Sequence, residues 1–67
     1  MSAVGDAIDE TGTLIRDGGT FYLQRDAGVR YALELHRTPV DMVEKRVRLA
    51  GRLIAPGLVE AEGVAPA

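Results

Sequence analysis

The chain contains no cysteine and a single histidine, His36. It therefore closes no disulfide, and it lacks the thiolate and imidazole sets that hold structural or catalytic metals. No stretch approaches the roughly 20 consecutive apolar residues that cross a bilayer, so no membrane association is expected. Met1 to Glu10 has neither a basic run nor an apolar core, and a secretory signal is not expected there. The reading is a soluble, cytoplasmic protein. Catalytic groupings are missing as well. His36 has no carboxylate partner at local spacing, and Ser2, Thr11, Thr13, Thr20 and Thr38 have no neighbouring base, so no enzyme is expected. Gly18-Gly19 is followed by no Lys-Ser or Lys-Thr and opens no helix, which excludes a phosphate loop. Asp17 and Asp26 begin short glycine-containing turns, where a carboxylate bonds nearby backbone N–H groups rather than a metal. No catalytic residue, metal or cofactor is expected.

What is present is short. A chain of 67 residues makes one domain, and at that size folding buries only roughly 60% of the surface the unfolded chain exposes. Small folds usually add disulfides, a metal or a partner. With the first two excluded, a protein partner or a homo-oligomer is expected. The formal charge is −2, but it is uneven: all eight basic residues lie between Thr11 and Val59, against five acidic ones. The remaining acids, Asp6, Asp9, Glu10, Glu60 and Glu62, lie towards the two ends.

The most regular stretch is Lys45 to Ile54. Val47, Leu49, Gly51 and Leu53 recur every second residue between Arg46, Arg48, Ala50 and Arg52, the period of a strand buried on one face. Upstream, Thr11 to Arg16 and Thr20 to Arg25 read as strands about Asp17-Gly18-Gly19, and Val29 to Leu35 reads as a third beyond Asp26-Ala27-Gly28. With three-residue loops, Ile15 opposes Phe21, Phe21 opposes Leu33 and Leu23 opposes Tyr31, all inward, and Leu14 falls outside opposite Tyr22. Thr38, Pro39 and Asp41 suit the start of a helix of about one turn, with Val40, Met42 or Val43 covering one end of a barrel. Ala55-Pro56-Gly57 turns the chain into a fifth strand, Leu58 to Val64, with Leu53 opposite Val59, Gly51 opposite Ala61 and Arg52 opposite Glu60. Residues 1–10 are expected to form a flexible N-terminal tail, 11–64 the single domain, and 65–67 a C-terminal tail.

Gly-Thr-Leu at Gly12, Phe-Tyr-Leu at Phe21, Asp-Ala-Gly at Asp26, Tyr-Ala-Leu at Tyr31 and Lys-Arg-Val-Arg-Leu-Ala-Gly at Lys45 resemble small bacterial OB-fold-like domains of unknown function. The resemblance spans Thr11 to Gly63 and implies a five-stranded OB-like β-barrel in the order β-β-β-short helix-β-β. It carries no catalytic residues. Where members often have glycine before the Lys-Arg-Val run, this chain has Glu44. The alternating pattern alone also suits an SH3-like barrel.

Two surfaces follow. OB barrels hold single strands on the face of their second and third strands, with aromatic platforms for bases and cations for phosphates. Tyr22, Gln24 and Arg30 stand there, and Arg16, Arg46, Arg48 and Arg52 extend the basic area around the barrel, so single-stranded nucleic acid is the alternative partner. Against it, Glu34 lies beside that face, and Glu60 and Glu62 oppose Arg52 and Arg48. The leading reading is a non-catalytic binding or adaptor module meeting a protein partner or its own copy through the outward apolar groups Leu14, Tyr22 and Leu58.

Overall fold

The computed structural model describes residues 3–26, 28–36 and 40–67, and of Val40 the backbone only. The order is β1 (Ala7–Asp17), β2 (Thr20–Arg25), β3 (Tyr31–Leu35), a 3-10 turn (Val40–Met42), β4 (Arg46–Ala55) and β5 (Leu58–Pro66). Each strand bonds to two others, and the sheet closes in the order β1-β2-β3-β5-β4. Four of these pairings are antiparallel, and β3 runs parallel to β5. That parallel pair needs a crossover, and β4 lies between its two strands in the chain. Met42 and Val43 from this segment pack against the core, at the place foreseen for the short helix. The expected cap Thr38, Pro39 and the side chain of Val40 lie outside the described residues. No helix among the described residues is long and apolar enough to cross a membrane.

β4 alternates as its sequence demands: Val47, Leu49, Gly51 and Leu53 are buried, and Arg46, Arg48, Ala50 and Arg52 are exposed. β4 sits between β1 and β5, so its apolar side chains reach most of the core. That core consists of Ile8, Leu14, Leu23, Tyr31, Leu33, Val47, Leu49, Leu53, Val59 and Ala61, with Phe21 and Leu35 packed at its margin. Glycine at position 51 is required by contact: a Cβ there would strike the Glu60 carbonyl oxygen and lie 3.0 Å from Val59 Cγ1. Gly12 has the same role on the other side, where a Cβ would strike the Gln24 carbonyl oxygen. There β1 changes partner, since Ala7–Thr13 pair with β4 and Gly12–Asp17 pair with β2. A strand shared by two neighbours in this way must coil sharply, and a missing side chain at the pivot permits it.

Four expectations are corrected. The first concerns the turn between β1 and β2. Asp17 pairs with Thr20, so the loop is the two residues Gly18-Gly19 rather than three. Gly18 has φ 63° and Gly19 is not positive, the pattern of a type II′ turn, whose twist matches that of the flanking strands. Removing one residue from the loop slips the register by one and exchanges the faces of β1. Leu14 therefore faces Leu23 in the core with no exposed surface, while Ile15 faces Tyr22 outside.

The second correction is at the N-terminus, where the barrel begins at Ala7 rather than Thr11. Ile8 lies opposite Gly51 and is buried, the Gly5 N–H donates to the Leu53 carbonyl, and the Leu53 N–H donates to Asp6. The third is at the C-terminus. Pro66 pairs with Val47, and the Ala67 N–H donates to the Arg46 carbonyl at 3.1 Å, so residues 65–67 extend the sheet rather than forming a tail. An extra residue in β5 makes this possible. Gly51 faces Ala61 and Ala50 faces Gly63, leaving Glu62 in a bulge and turning Val64 back towards the core. The fourth is β3, which starts at Tyr31 rather than Val29; Val29 is 71% exposed. The pairs expected about that loop are present, with Phe21 opposite Leu33 and Leu23 opposite Tyr31.

Candidate interaction surface

With β1 in this register, one line of side chains crosses the outer wall perpendicular to the strands. Ile15 on β1 is opposite Tyr22 on β2, Tyr22 is opposite Ala32 on β3, and Ala32 is opposite Leu58 on β5. Leu58 in turn faces Ala55 at the end of β4. All five are half-buried by their neighbours alone. The row forms because Leu14, Leu23, Leu33 and Val59, one place along each strand, point into the core, and period 2 sends the next residue outward. The Arg30 guanidinium lies over the Tyr22 ring, 5.0 Å from its centroid, and holds the ring against the sheet.

On the wall built from the first half of β1 with β4, two arginines are held by carboxylates. Arg48 Nε and Nη2 donate to the two carboxylate oxygens of Asp9 at 2.8 and 2.6 Å. Arg46 Nη1 and Nη2 donate to those of Asp26 at 2.6 and 2.8 Å. These forks hold both carboxyls below the ordinary aspartate range, through the hydrogen bonds first and the charge second, and hold both guanidinium groups above theirs. Asp26 thus serves Arg46 rather than only its own turn. A third arginine is half-buried at the end of β2: Arg25 Nη1 lies 3.4 Å from Glu10 Oε1, its Nε donates to the Val29 carbonyl, and its guanidinium stacks 4.4 Å from the Tyr31 ring centroid.

The residues foreseen for the nucleic-acid face are therefore divided. Tyr22, Gln24 and Arg30 share the β2–β3 wall. Gln24 Nε2 is 3.5 Å from the carbonyls of Arg25 and Gly28, and Arg30 is stacked on Tyr22. Arg48 lies on the other wall and is engaged by Asp9, not by Glu62 as its expected register required. Arg52 stands opposite Glu60 as expected, without a close ion pair; Glu60 lies instead 4.0 Å from His36 Nε2. Of the apolar trio, Tyr22 and Leu58 belong to the outer row, and Leu14 is replaced there by Ile15.

Residues 11–67 match a family described as a protein of unknown function, DUF5818. The chain belongs to the DUF5818 family. No curated protein and no solved structure matches it. The family match opens inside β1 of this DUF5818 domain, four residues after the strand begins, so Ile8 contributes to the core from outside the matched segment. Sequence reading missed Ile15 and Ala32 as members of the domain's apolar row. The signal for Ile15 was present in Gly18-Gly19, a dipeptide suited to a two-residue hairpin loop. Ala32 is too small to stand out in sequence and matters only because it bridges Tyr22 and Leu58.

Proposed function

We propose that this DUF5818 chain is a cytoplasmic, non-catalytic binding module, an OB-like barrel that meets a protein through the row Ile15–Tyr22–Ala32–Leu58. The observation that carries the reading is the continuity of that row. Four neighbouring strands each place an apolar side chain at one level on the outside of a barrel whose interior is already filled. Single exposed apolar residues need no explanation, but contiguous ones are the usual mark of a surface that another molecule covers. The OB-like assignment, in preference to an SH3-like one, is supported by the long β1 shared between β2 and β4 and by the parallel closure of β3 on β5.

The alternative, single-stranded nucleic acid on the β2–β3 wall, has the stacked pair Tyr22 and Arg30 in its favour. The charges favour a protein. Arg46 and Arg48 are neutralised by forked aspartates, and Glu34 and Glu60 lie side by side next to the wall, where they repel phosphates. The test is capture from the native cell with wild-type, Tyr22→Ser/Leu58→Ser and Arg48→Ala baits. A partner held by wild type and Arg48→Ala but lost from the double variant is expected. Equal capture by all three rejects the row as the binding surface. Labelled single-stranded DNA or RNA that binds at low salt and is released at raised salt would select the alternative.

A further inference from the structure

We propose that the apolar row is covered by a second copy of this chain, packed about a two-fold axis that runs along the row. The inference rests on the protein-binding reading above and adds what the partner is. Its basis is the charge on the two borders of the row. Along the strands in one direction the outer wall carries Thr13 on β1, Gln24 on β2 and Arg30 just before β3. In the other direction it carries Asp17, Thr20, Glu34 and, beside Glu34, Glu60 on β5. One border therefore carries the cation Arg30 and the other the carboxylates Glu34 and Asp17, while Glu60 is itself opposed by Arg52 and lies 4.0 Å from His36 Nε2. Among the described residues neither Arg30 nor Glu34 takes part in an ion pair, and both are exposed.

Two copies can lie face to face about a two-fold axis in either of two simple directions. An axis parallel to the strands lays the acidic border on the acidic border and sets Glu34 and Asp17 against carboxylates. An axis along the row reverses the strand direction while keeping each residue's place across the strands. Arg30 of one copy then meets Glu34 of the other, and the contact occurs twice because the interface is isologous. Arg30 immediately precedes β3 and Glu34 lies within it, so one rotation satisfies both, and the apolar row meets itself between them. The opposite wall competes less well, because two of its three arginines, Arg46 and Arg48, are engaged by Asp26 and Asp9. A specific contact needs about 800 Å² per partner, roughly a fifth of the 4330 Å² the chain exposes, which is one side of a five-stranded barrel.

Sedimentation equilibrium of the full chain, from micromolar to millimolar concentration, tests this together with two variants whose changed side chains are exposed. Wild type is expected to rise with concentration from 7.2 kDa towards twice that mass and to return towards it as salt is added. Arg30→Glu alone and Glu34→Arg alone are each expected to stay at the monomer mass, because each sets like charges against one another twice. An equimolar mixture of the two is expected to recover the doubled mass, since every changed position then faces its opposite sign. Wild type that stays at 7.2 kDa throughout overturns the proposal. So does a mixture that fails to pair while wild type pairs, or single variants that pair as wild type does. Monomeric wild type with capture still dependent on Tyr22 and Leu58 would remove the second copy and leave the protein-binding reading intact. Loss of both would remove both.

Discussion

Replacing Glu44 with glycine is expected to stabilise the barrel. Glu44 has φ 65°, in the left-handed region that L-residues avoid. It cannot relax away, because its N–H donates to the Leu14 carbonyl at 2.6 Å, and the next residue's carbonyl accepts from the Leu14 N–H at 3.1 Å. Its side chain is exposed and, among the described residues, has no ionic partner to lose. The left-handed conformation costs an L-residue ~1–2 kcal/mol, whereas the extra freedom of glycine in the unfolded chain costs ~0.4–1 kcal/mol. The difference favours glycine by about 0.5–1 kcal/mol. For a domain of this size that is a rise of ~2–8 °C in melting temperature. Thermal and urea unfolding of wild type, Glu44→Gly, Glu44→Ala and Glu44→Val provide the assay. Alanine keeps the strain and should stay near wild type, and β-branched valine should fall below it. A glycine variant that melts below wild type, or an alanine variant that gains as much, would refute the reasoning.

Three further outcomes follow from the packing and the ion pairs. Leu49→Ala removes a fully buried side chain from the centre of β4 and should cost ~2–5 kcal/mol; a native-like melt would mean that Leu49 is not in the core. Gly51→Ala drives a methyl group at the Glu60 carbonyl and should cost ~1–3 kcal/mol in urea unfolding, and an unchanged midpoint would contradict the close approach of β5. The forks on Asp9 and Asp26 give a pH dependence whose sign is fixed. A carboxylate whose folded pKa is depressed contributes stability above the unfolded value of ~3.9, and that contribution is lost as pH falls through the folded value. Carboxyl NMR titration should place both groups below the ordinary aspartate range, and Arg48→Ala should return Asp9 alone to it. A wild-type Asp9 that titrates at or above the ordinary value would contradict the fork.

The sequence is legible where one rule acts alone. β4 alternates from Arg46 to Leu53 and ends in a turn of proline and glycine, so its inward set and the pairs Leu53–Val59, Arg52–Glu60 and Gly51–Ala61 could be read directly, whereas the irregularity between Leu53 and Ala55, which sets Ala55 opposite Leu58, could not. Beyond Ala61 the bulge at Glu62 resets the alternation, and no local residue pattern announces it. β1 was harder for two reasons. Its first half offers only Ile8 and Ala7 as apolar residues among acids, and the reason for Ala7–Glu10 to be a strand lies in the long partner β4 rather than in their own composition. Its second half places Leu14 and Ile15 side by side, two residues of equal hydrophobicity, and only the loop length decides which is inside. The same single residue of register decided the candidate surface. Counting Asp17 as part of the loop puts Leu14 beside Tyr22, and counting it as the last residue of the strand puts Ile15 there. The arginines show a further limit: their alternation was visible, but their partners are Asp9 and Asp26, far away in sequence and unrelated to the expected cross-strand glutamates.

The inside and outside of β1 therefore carry both the core and the proposed binding row, and one comparison tests them directly. Thermal unfolding of Leu14→Asp and Ile15→Asp, measured side by side, places the same carboxylate at adjacent positions. At position 14 it would be buried without a partner, at a cost of several kcal/mol that a domain this small cannot absorb. At position 15 it would reach water. The account predicts an unfolded Leu14→Asp chain and an Ile15→Asp chain that melts cooperatively close to wild type and no longer associates. A folded Leu14→Asp protein beside an unfolded Ile15→Asp one would contradict it.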